Sequence, residues 1–106
     1  MTEINVLAQR LKMFAAERDW ERFHTPKNLA MAMMVEAGEL MEHFQWLTEA
    51  ESETLSTGQA RAVKHELADV FIYLIRLADR LNVDLIDAAQ EKMTLNAIKY
   101  PAGGLS

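Results

Sequence analysis

Cysteine is absent from the 106 residues, which excludes a disulfide framework and a thiolate metal site and fits a reducing compartment. Proline occurs twice and glycine four times, so turns are few, and no stretch alternates apolar and polar residues as a strand does. No run approaches the ~18 apolar residues of a membrane span. Met1-Thr2-Glu3 opens an acidic amphipathic segment instead of a basic region followed by an apolar block, so no signal peptide is expected. Positive charge is scarce: 11 Lys and Arg face 16 Asp and Glu, for a net charge of −5. That argues against a broad surface for a nucleic acid polymer, although a single nucleotide would fit if a cation offset the repulsion. Half the residues are hydrophobic and a quarter are charged. The expectation is an acidic, helical, cytoplasmic domain with no membrane partner, spanning 1–106 as a single unit.

The apolar spacing divides the chain into four main helices. Ile4 to about Arg18 carries Leu7, Leu11 and Phe14 on one stripe. Thr25-Pro26 supplies an N-cap and a first-turn proline for a second helix, expected to run to about Leu47. The acidic stretch from Thr48 to Thr57, with Gly58, reads as a loop or short helical linker. A third helix is expected from about Gln59 to Leu81, with Val63, Leu67, Val70, Leu74, Leu77 and Leu81 as its stripe. Phe71, Ile72 and Ile75 widen that stripe, which points to a second apolar contact, most simply another subunit. Asp84 can cap a fourth helix reaching about Ile98, and Pro101-Ala102-Gly103-Gly104 is expected to end ordered structure, leaving a disordered tail from about 102 to 106. Four helices on short connections make an all-α, four-helix bundle.

Two acidic pairs stand inside these apolar patterns, Glu36 with Glu39 and Glu66 with Asp69. Residues at i and i+3 share a helix face, and antiparallel packing of the two helices would bring the pairs together. Carboxylates held close repel one another and resist desolvation, and a hard cation such as Mg²⁺ relieves both costs. The alternative is a solvated acidic face, since Glu is a good helix former. Rings follow the acids at helical spacing: His43 and Trp46 after Glu39, and Tyr73 after Asp69. By spacing alone Trp20, Trp46 and Tyr73 read as core, although Trp46 and Tyr73 share faces with the acids, His24 reads as a cap residue, and His43 as solvent-facing. Lys92, Asn96 and Tyr100 share one face of the last helix, where a cation and an amide would suit a triphosphate or sugar.

Four blocks carry a resemblance. They are Phe23-His24-Thr25-Pro26-Lys27-Asn28-Leu29, the run from Glu36 to Trp46, the run from Glu66 to Leu74, and Lys92 to Pro101. Together they resemble the MazG-like all-α nucleoside triphosphate pyrophosphohydrolases, in particular the dCTP pyrophosphatase branch, over about residues 14 to 101. The resemblance implies hydrolysis of a deoxynucleoside triphosphate to the monophosphate and pyrophosphate, with dCTP or a related deoxynucleotide favoured, as in nucleotide pool sanitation. It implies that Glu36, Glu39, Glu66 and Asp69 hold Mg²⁺, with Mn²⁺ as a possible substitute, and that Glu36 or Glu39 serves as base. It also implies that Trp20, Trp46 and Tyr73 line the base pocket, that His24 lies near the base or sugar, that Lys92, Asn96 and Tyr100 contact substrate, and that the protein assembles as a homodimer or a dimer of dimers, a homotetramer. Relatives often continue past the Tyr-Pro with basic residues. Here, phosphate contacts from such a tail are expected to be absent or to come from a neighbouring subunit.

Three other readings compete. A phosphoribosyl-ATP pyrophosphohydrolase-type enzyme belongs to the same broad superfamily. A di-iron carboxylate bundle expects Glu-x-x-His on two helices, whereas here that spacing occurs only from Glu21 to His24, outside the acidic helices. A non-catalytic helical interaction module would use the wide apolar face of the third helix and would hydrolyse no nucleotide.

Overall fold

The structure is a computed structural model that describes residues 2–103. Among these residues there are five α-helices and no strand: α1 (Glu3–Glu17), α2 (Pro26–Glu42), α3 (Glu49–Ser52), α4 (Thr57–Arg80) and α5 (Leu85–Lys99), with a 3-10 turn at Glu21–Phe23. Each helix begins on a side-chain cap. Thr2, Thr25, Thr48, Ser56 and Asp84 each accept from a backbone N–H three residues on, and Thr48–Glu51 and Ser56–Gln59 form full capping boxes. Two helices end without glycine. Asp19 and Asn82 adopt left-handed backbone, both with φ 56°. The Trp20 N–H then returns to the Ala15 carbonyl, and the Val83 N–H to that of Ala78, each at 2.9 Å. These are Schellman closures, and they turn the chain sharply after α1 and α4.

α2 lies along α4, and α1 packs more lightly on the same helix. The small buried core comes from these three: Ala15 of α1, Leu29 of α2, and Val63, Ile75 and Ala78 of α4. Full burial of a side chain such as Leu29 or Ile75 stabilises by about 1.5–3 kcal/mol, so this seam carries much of the fold.

Several expectations change. α2 stops at Glu42 instead of Leu47, because hydrogen bonding tightens to i−3 through His43, Phe44 and Leu47, and Thr48 must leave helical geometry to cap α3. The expected linker contains that one short helix. Ile75, expected on a second contact surface, is 2% exposed in the chain's own core, while Leu67 and Leu81 of the expected stripe are exposed. The all-α class stands, but a single chain does not close a four-helix bundle. α5 packs substantially against no other helix, none of its residues is buried, and the radius of gyration is 17.1 Å, against about 13 Å for a compact chain of this length. Of the expected disordered tail, Ala102 and Gly103 form a turn, and the rest lies outside the described residues.

Candidate metal centre and its cavity

α2 sets Glu36 and Glu39 one turn apart, α4 carries Glu66, and the α2–α4 seam brings the three together. One oxygen from each carboxylate lies within 4.8 Å of the others. Glu36 and Glu66 are half-buried and Glu39 is exposed. Asp69 is not part of this trio but stands close enough for its charge to act on Glu36. The Glu36 carboxyl is pushed up to about 7, first by burial and then by Glu39, Asp69 and Glu66. Glu36 Oε2 and Glu66 Oε2 are buried without a hydrogen-bond partner. Buried acceptors of this kind are costly, and an all-oxygen, multiply acidic donor set suits a hard divalent cation. The residues present therefore fit a hard divalent cation held by Glu36, Glu39 and Glu66, with Asp69 beside them. His43, expected to face solvent, instead stands with Nε2 4.0 Å from Glu66 Oε1.

Beside the acids opens a cavity of about 560 Å³ whose wall includes Glu36 and Asp69. The rest of the wall is largely apolar and aromatic: Leu11, Phe14 and Ala15 from α1, Trp20, Phe23 and His24 around the 3-10 turn, and Ile72, Tyr73 and Arg76 from α4. The left-handed Asp19 turns Trp20 back onto α1. There its ring meets Phe14 edge-on at 5.7 Å between centroids, and the His24 ring lies 6.1 Å away. A volume of this size with few polar groups is what a small-molecule site offers, and aromatic faces of this kind stack on planar heterocycles.

Of the residues expected in a substrate pocket, Trp20, His24 and Tyr73 lie on this wall. Trp46 does not. It is 86% exposed after the end of α2. Lys92, Asn96 and Tyr100 are exposed on or just after α5 and are not part of the wall. Sequence reasoning missed Arg76 and Arg80. Arg76 is 1% exposed, with Nη2 donating to Glu21 Oε1 at 2.8 Å. Arg80 Nη1 donates to the His24 carbonyl at 2.9 Å. The available signal was one cation inside the apolar run Leu74-Ile75-Arg76-Leu77-Ala78, since a buried arginine demands a partner.

Comparison with known proteins agrees with this architecture. A pyrophosphatase from Archaeoglobus fulgidus superposes with a TM-score of 0.80 at 36% sequence identity, over 95% of this chain and 94% of that one. dCTP pyrophosphatase 1 of Homo sapiens is 50% identical over 91 residues, and its counterpart in Rattus norvegicus is 49% identical over 90. The aligned stretches take in 84% and 83% of this chain but 54% and 53% of those proteins, so the chain spans about half the length of the curated relatives it matches. Residues 31–104, which include all four acids and the whole of α4 and α5, match the MazG-like family, and the chain belongs to that family.

Proposed function

We propose that this chain is a Mg²⁺-dependent nucleoside triphosphate pyrophosphohydrolase that converts a deoxynucleoside triphosphate and water to the monophosphate and pyrophosphate, favouring dCTP or a related deoxynucleotide. The observation that carries the reading is the junction of two features: a three-carboxylate cluster, and an aromatic cavity that shares Glu36 and Asp69 with it. The similarity to proteins named dCTP pyrophosphatase 1 supports the substrate class.

Glu36, Glu39, Glu66 and Asp69 would hold a divalent cation, which would supply charge neutralisation and Lewis acidity. The chain's own side chains do the rest. Trp20 and Tyr73 present ring faces for the base, and the apolar wall excludes bulk water. A carboxylate oxygen of Glu36 or Glu39 takes a proton from the attacking water. The new bond forms between water oxygen and the α-phosphorus, the bond from that phosphorus to the bridging oxygen breaks, and its electron pair leaves with pyrophosphate.

Trp46, Lys92, Asn96 and Tyr100 complete the pocket in this reading only where a second chain places them. That accords with a homodimer or homotetramer in the cytoplasm and with the apolar side chains left exposed on α5 (Met93, Leu95 and Ile98). The test is pyrophosphate release from a panel of dNTPs and NTPs, with Mg²⁺ or with EDTA, for the native chain and Glu39→Gln. Metal-dependent release with dCTP among the best substrates, reduced about 10²–10³-fold by the substitution, is expected. No release from any nucleotide by folded, metal-loaded protein overturns the reading.

A further inference from the structure

Arg76 has no part in the metal centre, yet it is the most buried charge among the described residues. It lies on the cavity wall one helical turn beyond Ile72 and Tyr73. Its Nη2 donates to Glu21 Oε1 at 2.8 Å and sits 3.5 Å from His24 Nδ1. Nη1 is 3.5 Å from Asp79 Oδ2, and neither it nor Nε makes a hydrogen bond. One turn on, Arg80 holds the same 3-10 segment through the backbone carbonyl of His24. The segment that carries Trp20 and Phe23 is therefore fastened to α4 by two guanidinium groups, one of them fully buried.

This arrangement has a consequence for the His24 ring. A guanidinium has donors and no lone pair, so the imidazole nitrogen that faces it must accept. A hydrogen bond across that 3.5 Å contact requires the lone pair on Nδ1 and the proton of the neutral ring on Nε2. Burial first and then Arg76 lower the His24 pKa, Glu21 raises it, and Arg80 lowers it by less than Glu21 raises it, so the net effect favours the neutral ring. The remaining wall is largely aliphatic and aromatic apart from the two acids, the Arg76 guanidinium, the Trp20 indole N–H and the Tyr73 hydroxyl, and an oriented donor discriminates among ligands in such surroundings.

We propose that Arg76 is a positioning residue that sets substrate specificity: it fixes the His24 ring in the tautomer protonated at Nε2, so that the ring presents an N–H donor to a carbonyl oxygen on the edge of a nucleobase. For a cytosine nucleotide that oxygen is the C2 carbonyl. The inference rests on the nucleotide reading above for the identity of the ligand, but not for the state of the ring.

Two measurements test it on the metal-loaded chain. Imidazole ¹⁵N shifts should show His24 protonated at Nε2 in the native protein and a tautomer mixture with a raised pKa in Arg76→Met. Steady-state kinetics with dCTP and 2-thio-dCTP, whose sulfur is a weaker acceptor, should show the native chain preferring the oxygen analogue. Arg76→Met should raise the KM for dCTP about tenfold by more than it lowers kcat, and should erase the preference. Arg76→Lys should restore part of it. The pair Arg76→Met/His24→Gln should cost no more than His24→Gln alone, since both act through one ring. If Arg76→Met leaves Glu21 unpaired and fails to fold, Glu21→Gln/Arg76→Met removes both charges and carries the same test. A proton on Nδ1 in the native ring, additive effects in the double variant, or an unchanged preference between the two nucleotides overturns the proposal. Absence of turnover by the native chain would instead strike the enzymatic reading, and the tautomer and calorimetric binding of dCTP would still decide the role of Arg76.

Discussion

At the scale of single residues, Glu36 concentrates the tension in the molecule. Its carboxyl lies at about 7 in the folded chain against an ordinary 4.5, so between those values the folded state holds the extra proton. Stability from this group is complete below about pH 4.5, falls as pH rises, and is fully lost above about pH 7. In the metal-free protein the melting temperature should therefore be higher at pH 5 than at pH 8 by on the order of 5 °C more than in Glu36→Gln. Thermal melts in EDTA at the two pH values decide this, and a native chain no more pH-sensitive than the variant would contradict it. Glu66 tests the same cluster from the opposite helix. If its buried, unpartnered Oε2 belongs to a cation site, Mg²⁺ should raise the native melting temperature, by an amount equivalent to ~2.7 kcal/mol at a hundredfold excess over Kd. Glu66→Gln should abolish most of that shift, as read by calorimetry with and without Mg²⁺.

At the scale of elements, the α2–α4 seam aligns the acids, and the caps keep its ends in register. Ser56 accepts from the Gln59 N–H at 3.1 Å while Gln59 returns the bond to the Ser56 N–H at 3.0 Å. Ser56→Ala should cost about 1 kcal/mol of stability, measurable by urea unfolding. Gly38 in the middle of α2 offers a contrasting case. A Cβ there meets no heavy atom within 4 Å, so nothing inside the chain calls for glycine. Gly38→Ala should stabilise the chain by roughly 0.5–1 kcal/mol through helix propensity. If urea unfolding shows a loss instead, another chain approaches α2 at that point.

At the scale of the whole molecule, the single chain leaves apolar side chains uncovered on α2, α4 and α5, among them Met34, Val35, Met41, Leu67, Phe71 and Ile98. Uncovered apolar surface on three helices is what subunit contact would bury. Sedimentation at micromolar concentration should accordingly give a dimer or tetramer, and a monomer would remove the idea that a second chain completes the pocket. Among the described residues no helix is long and apolar enough to cross a membrane.

The helices were legible in the sequence because their signals are local. Thr25-Pro26, Ser56 with Gln59, and Asp84 announce helix starts through hydrogen bonds that close within three residues. The spacing of Glu36, Glu39, Glu66 and Asp69 places each pair on one face of its helix whatever else the chain does. The early end of α2 was hidden, since residues 43–47 contain neither proline nor glycine. The left-handed turn at Asp19 was also hidden, for it stands where glycine is the usual signal. Only the tertiary structure decided that three of the four acids meet within 4.8 Å, that Ile75 belongs to the core while Leu67 stays outside, and that Trp20 rather than Trp46 lines this chain's cavity. It alone joined Arg76 to Glu21 and His24. Those outcomes depend on which helix faces pack and at what angle, a property of residues far apart in sequence, whereas periodicity and capping report only on neighbours within a turn or two.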